Sequence, residues 1–147
     1  MYSKNIETVS SKNMPYVLIL AAALHVLTTV FWAGTTFALA RTGGAATERL
    51  FKPQVVAAVL ACLSGGYLGH TLHGHAIGRP EQVLITAAAA SVIALLAQVS
   101  IVGDAMRTLS DGARDHAPAY AQATVGHRVA AGLLGLAAIG MAIARYL

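Results

Sequence analysis

Two histidines stand where side chains of their kind are costly. His25 interrupts the run PYVLILAAALHVLTTVFWAGTTFALA, and His70 closes VVAAVLACLSGGYLGH. Lipid offers an imidazole no water, so a histidine inside such a run is retained for a partner or a task. A neutral imidazole presents one lone pair to a metal, and two of them on facing helices make the axial pair of a buried haem b. The same residues also suit a copper site or a plain polar contact between helices.

The neighbours of the two histidines fit that chemistry. Trp32 follows His25 by seven residues, hence on the same helical face, where it can pack against a bound ring or anchor at the interface. Tyr67 precedes His70 by three and is placed to hydrogen-bond a ligand or a propionate. Gly65, Gly66 and Gly69 either let two helices approach closely or leave room for a flat macrocycle. His73 shares a face with His70 and is its substitute as ligand. With His75, the pair forms a small trio that reads as a copper site or as a solvated loop end.

His127, near the start of the fourth apolar run, is either a ligand to a second metal centre or an interfacial histidine beside Arg128. Its candidate partners are poor: His116 lies in polar sequence and Met106 ends the third run. Cys62 is the chain's one cysteine and reads as a small buried apolar residue, with a thiolate ligand as the minor alternative. Asp104 is spaced to pair with Arg107 on its own helix or with Arg128 across the bundle. No nucleophile–base pair, phosphate-binding loop or dinucleotide fingerprint is present, so no catalytic residue is assigned and a membrane oxidoreductase stays an open class.

The elements that must position these residues are apolar runs over residues 15–40, 53–73, 81–106 and 126–147. Each meets the roughly 20 residues that a helix needs to cross a bilayer. Backbone groups in lipid must pair within the segment, which selects helices over strands. The 147 residues are 56% hydrophobic and 11% charged, with a mean hydropathy of +0.64. The expected fold is all-α, one integral membrane antiparallel four-helix bundle, preceded by a short polar tail. The formal charge of +4 is scattered, with no basic patch interleaved with aromatics, which argues against nucleic acid.

Arg41, Arg49 and Lys52 flank the first connection and Arg107, Arg114 and Arg128 the third, against Lys4, Lys12, Arg79 and Arg145 at the other end. That bias puts both termini on the outer, periplasmic side of a plasma membrane. His25, His70, His73 and His75 then share the outer half.

The segment LHVLTTVFWAGTTF resembles the first-helix signature H-(six residues)-W-x-G of a group of small membrane proteins, with His25, Trp32 and Gly34 at the matching positions. That group includes the copper-resistance protein D family and the small four-helix membrane protoporphyrinogen oxidases. The resemblance covers about a dozen residues of the first helix. It implies a four-helix membrane fold in a bacterial inner membrane, with haem b, or alternatively copper, at His25. The resulting expectation is a haem protein passing electrons near the quinone pool, through His25 and His70. Copper handling through the same histidines is one alternative. The other is a cofactor-free accessory subunit of a larger respiratory complex. The expected partners are the lipid bilayer, a quinone or a redox protein, and a second copy or a larger membrane complex.

Overall fold

A computed structural model describes residues 3–44, 46–73, 78–111 and 116–147, with side chains from residue 16 onward except that of His73. The helices are α1 (Ser3–Arg41), α2 (Thr47–His73), α3 (Arg79–Ala97), α4 (Gly103–Ser110) and α5 (Ala117–Ala144). A π-helical turn, Gln98–Val102, joins α3 to α4, so the third span is continuous over Arg79–Ser110. Four helical segments are long and apolar enough to cross a membrane, and no strand occurs among the described residues. The molecule is an all-α four-helix membrane bundle.

Local chemistry sets the ends. Arg41 closes α1, and Gly43 and Gly44 follow with φ of +68° and +77°, a left-handed conformation that costs glycine little. The Gly44 N–H turns back to the Leu39 carbonyl at 3.2 Å, the six-to-one bond of a Schellman ending. Arg128 Nε donates to the neighbouring Ala40 carbonyl, another group the helix end leaves without an internal partner. At the head of α3, the Glu81 carboxylate accepts the Gly78 N–H at 2.9 Å, and Pro80 occupies the first turn where its missing N–H costs nothing.

The helices run beyond the apolar stretches that announced them. Helix α2 begins at Thr47, six residues before the expected start, with Pro53 inside it. Proline so near an N-terminus forfeits only one hydrogen bond, to the Arg49 carbonyl. Helix α5 begins at Ala117 rather than 126, because Ala117–Val125 is a good helix former although it is less apolar. The polar stretch expected as a tail is helical from Ser3, continuous with the first span.

Around the bundle, α1 packs on α2 and α5, and α3 on α5, while α2 and α3 meet only lightly. Most of the core is alanine. One cluster joins Trp32, Ala57, Ala58, Ala61, Ala94, Ala130 and Leu134; a second joins Val102, Ala105 and Ala123 beneath Phe51 and Met106. Lipid supplies little hydrophobic drive between helices, so small residues that bring backbones together do the packing. Large side chains such as Leu20, Leu27, Val30, Leu63 and Leu136 point outward, where only lipid tails can receive them.

Candidate functional site

His25 is half-buried on the face of α1 that meets α2. Its Nδ1 lies 2.9 Å from the Ala61 carbonyl and 3.4 Å from Ser64 Oγ. The Ser64 hydroxyl already donates to the Leu60 carbonyl at 2.6 Å, so the Ala61 oxygen is the acceptor that fixes a proton on Nδ1. Nε2 is then the lone-pair nitrogen, and it makes no hydrogen bond among the described residues. Gly65 makes this seating possible: a Cβ there would stand 2.8 Å from His25 Cε1 and 3.1 Å from Nδ1.

The ring borders a cavity of about 710 Å³, a size typical of pockets for small molecules and cofactors. Helix α1 contributes His25, Thr29 and Trp32; α2 contributes Ala61, Cys62, Gly66, Gly69 and His70. Leu84, Ala88 and Val92 of α3 and Leu134, Ala137 and Met141 of α5 complete a largely apolar wall. His25 and His70, singled out by sequence, thus face one space. Gly66 and Gly69 line it with nothing within 4 Å of where a Cβ would be, so α2 presents a flat, open face there.

A neutral imidazole tied through one nitrogen to a carbonyl keeps its other nitrogen available as a ligand, as metal-bound histidines do. His70 is exposed near the C-terminal end of α2. His75 and the side chain of His73 lie outside the described residues, and among the described residues no three His, Cys, Asp or Glu side chains are grouped to hold a metal.

Thr29 adds a feature that sequence reasoning missed. Its Oγ1 is buried and has no hydrogen-bond partner. Serines and threonines elsewhere on these helices return their hydroxyls to carbonyls three or four residues back, as Thr28, Thr35, Thr71 and Ser91 do. Thr29 also borders the cavity, so its hydroxyl is a free donor there.

Other sequence-marked residues lie elsewhere. Tyr67 is exposed and does not border the cavity, so it is not placed to meet a ligand there. Cys62 is partly buried against the core and borders the cavity. Asp104 pairs with Arg107 at 3.4 Å, both exposed, while Arg128 goes to Ala40. His127 corrects both of its expected roles. It is wholly buried, neither interfacial nor on the cavity, and both ring nitrogens are engaged: Nδ1 with Gln98 Nε2 at 3.2 Å, Nε2 with Thr47 Oγ1 at 3.4 Å.

Those contacts belong to a polar chain across the bundle. Trp32 Nε1 donates to Gln98 Oε1 at 2.6 Å, and Gln98 Nε2 donates to Thr36 Oγ1 at 3.1 Å. Gln54 Nε2 reaches Thr35 and Thr36 at 3.0 Å each, while Gln54 Oε1 is buried without a partner. The signal for this chain was present in the sequence as Thr36, Gln54 and Gln98, uncharged polar residues inside apolar runs, which face the bundle interior by preference. Comparison of the chain with protein-family models, curated proteins and solved structures finds no match.

Proposed function

We propose that this membrane bundle is a haem b protein of a bacterial inner membrane, with His25 and His70 as the residues that would hold the iron. The observation that carries the reading is His25 itself: Nδ1 tied to the Ala61 carbonyl, Nε2 left without a hydrogen bond among the described residues, and the ring bordering an apolar cavity that His70 also borders. The likeness of His25, Trp32 and Gly34 to a first-helix signature of haem- and copper-associated membrane proteins supports it.

The residues divide the work. Ala61 fixes the tautomer and orientation of His25, which raises the basicity of the ligating nitrogen. Gly65 holds the imidazole close to α2, and Gly66 and Gly69 leave a flat face for a planar ring. Trp32, Leu134 and Ala137 wall the inner end and exclude water. Haem supplies one-electron chemistry when bound, at a potential tuned by axial ligands and burial. In this reading the protein passes electrons between a lipid-borne quinone and a redox partner, with both termini periplasmic.

The test is an absorption spectrum of the detergent-purified chain, oxidised and then reduced with dithionite. A Soret band is expected in the wild type, lost in His25→Ala and displaced in His70→Ala. Stoichiometric copper without haem absorbance would instead support the metal-handling alternative. An unaltered Soret band in His25→Ala rejects the ligand assignment.

A further inference from the structure

We infer that Gln98 and His127 are positioning residues for the cavity wall, acting through a hydrogen-bond chain that can run in one direction only. The chain starts from Trp32, whose indole N–H donates and cannot accept. The 2.6 Å contact therefore fixes Gln98 Oε1 toward Trp32 and turns the amide nitrogen the other way. That nitrogen has two hydrogens, and it faces two atoms: Thr36 Oγ1 at 3.1 Å and His127 Nδ1 at 3.2 Å. His127 Nδ1 must accept, so the imidazole is the neutral Nε2–H tautomer, and Nε2 donates to Thr47 Oγ1. Reversing any link would require Trp32 to reverse, which its chemistry forbids.

The chain connects distant parts of the bundle. Thr47 opens α2 beside the first connection, His127 is on α5, Gln98 begins the π turn, and Trp32 belongs to both the polar chain and the cavity wall. Thr36, Thr47, Gln98 and His127 are each 2% exposed or less, so no water competes for these bonds. Loss of Gln98 would strand a buried indole N–H, and the ring would turn toward the cavity to find an acceptor. The orientation of the wall against a ligand is thereby set from the opposite half of the membrane. Only the effect on a bound haem rests on the function proposed above; the chain itself does not.

Three measurements on the full chain in detergent test this. Nitrogen-15 spectra of histidine-labelled protein should show one buried imidazole with Nδ1 bare and Nε2 protonated. Ultraviolet resonance Raman should show the chain's one tryptophan strongly hydrogen-bonded, a signature lost in Gln98→Leu and weakened in His127→Leu. His127→Gln should keep it, because an amide can accept from Gln98 and donate to Thr47. The Soret band should move in the two leucine variants and stay put in His127→Gln.

An Nδ1–H or doubly protonated His127 in the wild type overturns the inference without any variant having to fold. So does a wild-type tryptophan signature in His127→Leu alongside its loss in Gln98→Leu, since the coupling would then stop at Gln98. A wild type that carries no Soret band removes the haem reading alone, because the tautomer and the indole signature still decide the chain.

Discussion

At the scale of single residues, the site depends on how closely α2 approaches the His25 ring. A methyl group at residue 65 would stand 2.8 Å from Cε1, so the imidazole or the helix has to shift. Gly65→Ala is expected to cost about 1–3 kcal/mol and to lower haem per protein several-fold, measured from the Soret to protein absorbance ratio. Gly132→Ala serves as the control, since it lies off the cavity with open space around it, and it should retain near wild-type occupancy. The two buried glutamines offer a second contrast. Gln54 already leaves its carbonyl oxygen unpaired, so Gln54→Met is expected to change stability by less than about 1 kcal/mol. Gln98→Met, which strands the groups it joins, should cost about 1–3 kcal/mol. Thermal unfolding in detergent ranks them, and equal losses would contradict the assigned bonds.

At the scale of elements, the π turn and α5 pack closely. A Cβ on Gly126 would lie 2.8 Å from Val102 Cγ2 and 3.1 Å from Ile101 Cγ2. Gly126→Ala should therefore destabilise the protein by about 1–3 kcal/mol, and Val102→Ala in the same chain should recover part of the loss. A double-mutant cycle in unfolding assays measures that coupling; strict additivity would mean the two sites do not touch. The third span also shows what the sequence could and could not reveal. Its apolar length was plain, as were the other three spans. The π turn was not, because no residue type announces an extra residue within a turn. Helix ends were missed for a related reason: hydropathy marks the lipid-crossing part, whereas Thr47–Lys52 and Ala117–Val125 continue the helix in less apolar sequence. His25 and His70 were legible because imidazoles are scarce in lipid. Thr29 was not, since threonines such as Thr28 and Thr35 return their hydroxyls to the helix and nothing in the sequence marks the one that does not.

At the scale of the whole molecule, the bundle separates two kinds of interior. One half holds an apolar cavity bordered by His25 and His70, and the other holds the polar chain and the tight contact between the π turn and α5. The ends are told apart by charge: Arg41, Arg49, Lys52 and Arg107 lie at the end where α1 finishes, with Tyr120 of α5 bonded to Glu48 of α2 at the same end. That arrangement predicts the topology. In a Cys62→Ala background, Arg79→Cys should react with an impermeant thiol reagent on intact cells. Arg107→Cys should react only after permeabilisation. The opposite pattern would place the cavity in the cytoplasmic leaflet.

A five-residue π segment holds one residue more than the α-helix around it would need. Removing a single residue from Gln98–Val102, Ser100 for example, would let an unbroken α-helix form. The wide turn absorbs its surplus residue locally, so everything before and after the cut would keep nearly the same rotational phase. The span would stay as long and as oily as a bilayer requires, and Gln98 and Val102 would keep their facing neighbours. One surplus amino acid thus widens a single turn without rotating the two ends of that span, and a shortened variant that still inserts should keep its ordered tryptophan.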